Sequence, residues 1–245
     1  MWSFARLRPH ATPAPRIPGV GFHQNHYAQA LAAHVPTGAR WLDLGAGSQL
    51  HDGFDVPTPE ALGTRAFHVV GADPVITHLA ENPVLTRAVG ASGDALPFAD
   101  GSFDVVSANM VLEHLEHPDP VFREVARVLR PDGRFIFVTP NRNHPGIRLA
   151  SLLLSAAARR RAAVRVESRD PQHVFPTFYR ANTVRAIATL AARAGFQRAE
   201  VQVLRNIPFL RWPMAAVWLE CQFIRATAWR PLQGLGADLL GVLQR

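Results

Sequence analysis

Asp43 closes a short apolar run, Trp41–Leu44, and Gly45 and Gly47 follow one residue apart. A glycine can take a positive φ, or let a ligand come against the backbone with no Cβ in the way. A dinucleotide-binding turn needs a third glycine leading straight into a helix whose N-terminus seats a pyrophosphate. Here Ser48, Gln49 and Leu50 follow instead, and Pro57 and Pro59 interrupt any long helix. A ligand without a pyrophosphate is favoured, and nicotinamide-linked redox chemistry is disfavoured. Two further acids have useful positions. Asp73, next to Pro74, ends a second apolar run, where a carboxylate can accept hydrogen bonds from a ribose diol or cap a turn. Asp94, within Gly93-Asp-Ala-Leu-Pro-Phe98, can pair with an exocyclic adenine amino group or shape a turn.

These residues need elements to hold them. Strands are expected over 40–44, 66–74, 88–91, 103–110, 134–139 and 196–204, most of them short apolar runs. Helices are expected over 23–35, with Tyr27, Leu31 and Val35 on one face, over 120–129 and over 181–194. For the second of these Asp119 is the expected N-cap and Pro120 the first helical residue, with Pro131-Asp132-Gly133 as the stop. Alternation of strands and helices indicates an α/β fold, a doubly wound, Rossmann-like and mostly parallel sheet. Ligands bind beyond the carboxyl ends of such strands. Gly45, Gly47, Asp73, Asp94 and Asn109 all fall at or just after strand ends and can converge on one crevice.

Four blocks in this order, "WLDLGAGS", "VVGADP", "GDALPFADGSFDVV" and "NMVLEHLEHPDPVFREVARVLRPDGRFIFVTPN", resemble the class I S-adenosylmethionine-dependent methyltransferases. Within that class the likeness is to the subgroup that includes the ubiquinone and menaquinone methyltransferases. It covers roughly residues 38–140. The resemblance implies S-adenosyl-L-methionine as cofactor. It puts Gly45 and Gly47 by the methionine moiety, Asp43 beneath the loop and held through water or backbone amides, and Asp73-Pro74 at the ribose. Asp94 and the Ala95 backbone would meet the adenine, and Asn109 and Met110 would line the wall near the sulfonium. Gln49 stands where the family's loop commonly has a last glycine, and a proline-bearing loop replaces the usual helix over 51–64.

Methyl transfer is an in-line displacement from a sulfonium that is already a good donor, so the protein mainly positions the acceptor and removes water. A base is needed only for an acceptor that must lose a proton early. His114, shortly after the fourth strand, is the candidate catalytic base. Asn141, His144, His173, Tyr179 and Arg180 are candidate substrate contacts. His114 and His117 with Glu113 and Glu116 invite a metal, but magnesium avoids histidine and further zinc ligands are missing, so no metal is expected.

The whole chain of 245 residues reads as one domain: an extended arm over 1–20, a cofactor core over 38–140, a substrate-covering insertion over 141–180 and an apolar, basic and helical tail over 207–245. The net charge is +7, carried on 26 arginines with no lysine, in a chain rich in Ala, Pro and Gly. Part of that basicity reflects compositional bias, and it still suits an acidic partner. One cysteine excludes an internal disulfide and fits a reducing compartment. No signal peptide and no membrane span are expected, hence the cytoplasm, with a peripheral membrane contact through 147–165 or 207–245 as the sharper alternative. The expected acceptor is a small molecule, such as a lipid or glycan precursor. RNA or protein methylation, and a non-catalytic cofactor-binding protein, are the competing readings.

Overall fold

The computed structural model describes residues 19–53, 56–153, 175–208 and 214–245. In chain order the elements are α1 (His23–His34), β1 (Ala39–Leu44), α2 (Pro59–Gly63), β2 (Ala66–Asp73), α3 (Ile76–Leu79) and β3 (Arg87–Gly90). Then come β4 (Phe103–Asn109), a 3-10 turn (Leu112–His114), α4 (Pro118–Val128), β5 (Leu129–Pro140) and α5 (Pro145–Leu153). The chain continues with α6 (Val184–Ala194), β6 (Arg198–Leu204), α7 (Met214–Ala226), a second 3-10 turn (Arg230–Leu235) and β7 (Asp238–Gln244). The expected arm, residues 1–20, lies almost wholly outside the described residues, as does much of the insertion.

One sheet of seven strands runs in the order β3-β2-β1-β4-β5-β7-β6. The first five of these are parallel, and β7 is antiparallel to both its neighbours. Both faces of the middle strands are buried, and the period-two alternation shows it. Leu42, Leu44, Phe135 and Phe137 pack on the α4–α6 side, and Trp41, Ile136 and Val138 pack on the α1 side with Tyr27 and Leu31. Strands covered on both sides are the apolar runs the sequence displays.

Three local expectations change. The N-cap of α4 is His117, with no side-chain cap, and Pro118 sits in its first turn. Asp119 is therefore inside the helix, where it pairs with Arg193 of α6 at 3.4 Å. Two prolines two residues apart both suit a first turn, and either start was compatible with the pattern. Pro131-Asp132-Gly133 is not a connection before the strand. β5 already pairs at Leu129 with Phe103, and the tripeptide forms an irregularity in the ladder, with Asp132 at φ 65°. The tail is helical over α7 and then returns as β7, which completes the sheet between β5 and β6.

Candidate functional site

The winding reverses between β1 and β4, which leave the sheet centre in opposite directions. A crevice is expected beyond the carboxyl ends at that point. Gly45 and Gly47 follow β1, Asp73 is the last residue of β2, Asp94 lies four residues after β3, and Asn109 ends β4. These are four adjacent strands, so the sequence-predicted set does converge on one edge.

The two glycines do different work. Gly45 has φ 65°, and a Cβ there would meet Val111 Cγ2 at 2.5 Å. Its bareness is used up by packing the chain that leaves β4. Gly47 has φ 48°, and a Cβ there would meet nothing nearer than the Gly45 carbonyl at 4.0 Å. This is the position that faces open space. Asn82 holds the loop from below: its Nδ2 donates to the Ala46 carbonyl at 3.1 Å and the Gly47 carbonyl at 3.4 Å. Gly71 on β2 leaves room chiefly for Leu85, whose methyls an added Cβ would overlap, and then for Ala46 of the loop, whose Cβ it would meet at 3.2 Å. Neither Asn82 nor Gly71 carried a signal in the sequence, because both act on a loop distant in the chain.

Asp73 is 8 % exposed. One of its oxygens accepts from the Val75 amide at 2.8 Å, and the other has no hydrogen-bond partner among the described residues. Both alternatives read for this acid thus hold together: it shapes the turn before α3 and keeps an acceptor available. Pro74 and Asp94-Ala95 are exposed at the same edge. A bare, left-handed loop beside a free carboxylate oxygen fits an adenosyl group with its ribose diol.

Asp43 differs from expectation. The amides of Gly45 and Ala46 donate to the Ala72 carbonyl and not to this carboxylate. Asp43 is buried within β1, and Ser107 Oγ donates to it at 2.5 Å while accepting from Trp41 Nε1 at 2.8 Å. Burial pushes its carboxyl up to about 7; the Ser107 hydrogen bond opposes this and the charge of Asp73 adds to it. The folded value lies above the unfolded one, near 3.9, so folding takes up a proton between about pH 4 and 7 and this group's contribution falls as pH rises through that window. Asp43→Asn supplies a neutral isostere. It is expected to unfold close to the wild type near pH 4 and to become the more stable of the two by pH 7, gaining up to about 1.4 kcal/mol per pH unit. Thermal melts of both proteins across that range test this. A gap that does not change with pH would show that Asp43 keeps its charge throughout.

Asn109 is half-buried and its amide is fully engaged. It exchanges two hydrogen bonds of 2.9 Å with Gln24 of α1 and donates to the Leu50 carbonyl at 2.9 Å. It therefore staples α1 and the glycine loop to β4. Met110 next to it stands at φ 55°, unusual for a residue with a side chain, and its amide is held by the Val138 carbonyl at 2.9 Å.

The acceptor-side residues divide. His114 Nδ1 bonds to the Pro176 carbonyl at 2.8 Å, and its Nε2 lies 3.8 Å from Glu113 Oε1. The amides of Phe178 and Tyr179 donate to the Glu113 carbonyl at 2.8 and 3.2 Å, and Arg180 donates to the Glu116 carbonyl at 2.6 Å. Residues 176–180 are thus pinned along the 3-10 turn after β4. Phe175 reaches further, with its ring 5.9 Å from that of His114 and 6.3 Å from that of His78 on α3. It bridges elements on either side of β1. Asn141, expected as a substrate contact, is 1 % exposed, and its Nδ2 donates to the carbonyls of Gly234 and Gly236 at 3.0 and 2.7 Å. It fixes the chain entering β7 and has no donor left for an acceptor. His144 is half-buried with its ring 5.6 Å from Phe223 of α7, and burial lowers its basicity. His173 lies outside the described residues.

A buried acidic cluster behind this wall was not foreseen. Glu113 accepts from Thr139 Oγ1 at 2.9 Å, and Thr139 in turn accepts from Asn182 at 2.7 Å. Asp238, the first residue of β7, accepts from Asn206 at 2.9 Å. Burial, then the charge of Glu113, push its carboxyl up to about 7. Its members come from β5, β7 and the segments around them, so only the folded sheet brings them together. A groove of about 610 Å³ between α4 and α6, lined by Glu116, Asp119, Arg180 and Arg193, lies beside the crevice and not over the glycine loop.

An open α/β sheet with a bare loop and a buried acid at its switch point is an arrangement that can seat a nucleoside-bearing ligand. The chain belongs to the methyltransferase domain family, whose model matches residues 23–201. An uncharacterised methyltransferase of Mycobacterium sp. strain JLS is 37% identical over 108 residues, 43% of this chain and 40% of that protein. A malonyl-[acyl-carrier protein] O-methyltransferase of Methylococcus capsulatus is 34% identical over 131 residues, 49% of this chain and 46% of that protein. The chain therefore spans less than half the length of either relative. The fold matches that of an S-adenosylmethionine-dependent methyltransferase from Mesorhizobium loti with a TM-score of 0.53 and 21% identity, covering 89% of this chain and 96% of that one.

Proposed function

We propose that this protein moves a methyl group from S-adenosylmethionine to a small-molecule acceptor. The observation that carries the reading is the convergence of Gly47, Asp73 and Asp94 at adjacent strand ends. Gly47 leaves space over the loop, Asp73 accepts from the ribose, and Asp94 with the Ala95 backbone meets the base. When bound, the cofactor supplies an electrophilic methyl on a sulfonium. The chain supplies orientation and dryness, which can be worth about 7–11 kcal/mol of barrier. Met110 is held in its unusual backbone conformation by the Val138 carbonyl and borders the place where the acceptor must enter. Phe175, whose ring stands between those of His78 and His114, would border the same entrance.

His114 is the base we assign for an acceptor that must lose a proton. A carbonyl can only accept, so the neutral ring bonded to Pro176 carries its proton on Nδ1 and keeps Nε2 as the proton acceptor. The Methylococcus relative is named for an acyl group carried on a carrier protein, which favours an acyl or lipid-like acceptor moiety over RNA.

The test has two stages. Calorimetric titration with S-adenosylmethionine and S-adenosylhomocysteine is expected to show binding of both. Incubation with methyl-labelled cofactor and a fractionated cell extract is then expected to place label in the small-molecule or lipid fraction. Label in RNA or protein would move the acceptor to that class. Binding without any transferred label would leave a cofactor-binding protein of this fold.

A further inference from the structure

Two helices expose the side that a surface helix ordinarily hides. α5 has no buried residue, yet it carries Leu149, Leu152 and Leu153 at 57%, 80% and 72% exposure. α7 turns Cys221 and Ile224 inward and presents Met214, Trp218 and Leu219 outward at 71%, 60% and 62%. Met214 and Trp218, four apart, share a face, and Leu219 follows Trp218 around the helix, so the three make up one broad exposed apolar patch. Trp229, just beyond the helix, is 67% exposed. Ordinary surface helices put their charged side outward. Contiguous apolar surface of the opposite kind marks a place where something docks.

The two helices belong to one side of the molecule. The ring of His144, at the start of α5, meets Phe223 on the flank of α7 at 5.6 Å. α5 follows β5 directly, so this side adjoins the carboxyl edge where the crevice opens.

The charges around the patch name the occupant. Arg142 and Arg148 flank or lie on α5, and Arg225 and Arg230 lie at the end of α7 and beyond it; all four are exposed. Across 141–153 and 214–230 the one acid is Glu220, which is half-buried. An apolar patch with tryptophan, rimmed by arginine and nearly free of acid, suits the boundary between anionic headgroups and acyl chains. Among the described residues no helix is long and apolar enough to cross a membrane. The contact is therefore one of lying on the surface. We propose that the α5–α7 face docks on an anionic lipid bilayer, with Leu152, Trp218 and Leu219 at the acyl boundary and the arginines on the headgroups. This inference stands apart from the transferase reading, because docking is measured without turnover.

The experiment uses the full chain and sedimented vesicles of phosphatidylcholine alone or phosphatidylcholine mixed with phosphatidylglycerol. The wild type is expected in the pellet with the mixed vesicles and in the supernatant with the neutral ones. Trp218→Ser with Leu219→Ser is expected to cut vesicle binding by about tenfold or more while leaving the melting temperature in place, since both side chains are exposed. Arg148→Glu with Arg230→Glu is expected to remove the preference for the anionic vesicles. The proposal is overturned if the wild type stays in solution with both vesicles, or if both double variants bind as the wild type does. It is equally overturned if the chain is a dimer that the Trp218/Leu219 variant splits and vesicles capture neither. That last result would make the face an interface between copies. A chain that docks as expected but binds no S-adenosylmethionine would leave the surface standing and remove the transferase reading.

Discussion

Asp73→Ala is expected to weaken S-adenosylmethionine binding by about a hundredfold or more. A carboxylate that accepts from a hydroxyl makes a charge-assisted bond worth about 1.5–3 kcal/mol, and a diol offers two hydroxyls to one carboxylate. Losing both bonds passes the hundredfold mark even at the lower figure, since about 1.4 kcal/mol is tenfold. The residue is 8% exposed and sits where β2 ends. Alanine also removes the bond to the Val75 amide, which shapes the turn into α3. Asp73→Asn separates the two roles, because its amide oxygen can still accept from Val75 while the charge is gone. The expected order of affinity is wild type, then asparagine, then alanine. Calorimetry on all three, with melting temperatures alongside, makes the check. Unchanged affinity in the folded alanine variant would remove Asp73 from the cofactor site and, with it, the assignment of the crevice.

The second large effect concerns the sheet itself. Gly241 lies in β7 opposite Phe137 of β5. A Cβ built there would overlap the edge of the Phe137 ring, meeting its Cζ, Cε1 and Cε2 well within contact distance. Phe137 is fully buried and its ring lies 4.9 Å from that of Phe135, so it has nowhere to move. Overpacking a close-packed core costs about 1–3 kcal/mol and occasionally more. Gly241→Ala is expected at the upper end, lowering the melting temperature by roughly 6–12 °C for a domain of this size. Gly234→Ala is the control, because a Cβ there meets nothing within 4 Å. It is expected to stay within about 0.5 kcal/mol of the wild type. Equal melting temperatures for the two variants would mean that β7 does not pack against Phe137.

Both predictions bear on what could be read beforehand. Asp73 was legible because its setting is local: an apolar run, an acid and a proline state the strand, its end and the turn in one stretch of chain. The same holds for Gly45 and Gly47. Their difference was not legible. Gly45 is bare because Val111, 66 positions further on, occupies the space, whereas Gly47 is bare toward the crevice. Asn141 shows the opposite failure. A polar residue just after a strand looks like a site residue, but its amide is consumed by the carbonyls of Gly234 and Gly236, 93 and 95 positions away.

β7 is the clearest case. "DLLGVLQ" is a short apolar run that fits a buried strand and a packed helix equally, and it follows a segment that is helical. What decides between them is the vacant edge of β5, whose backbone groups need partners on that side. The sequence by itself determined the alternation of elements, the parallel sheet with both faces covered, the glycine loop and the acids at the strand ends, because each of these is a matter of neighbours in the chain. Only the tertiary structure decided which glycine faces the ligand, which polar residues are spent on holding loops, the burial that shifts Asp43 and Asp238, and the place of the last strand. Those depend on which distant segments meet, and packing and hydrogen-bond satisfaction are settled between segments, not within them.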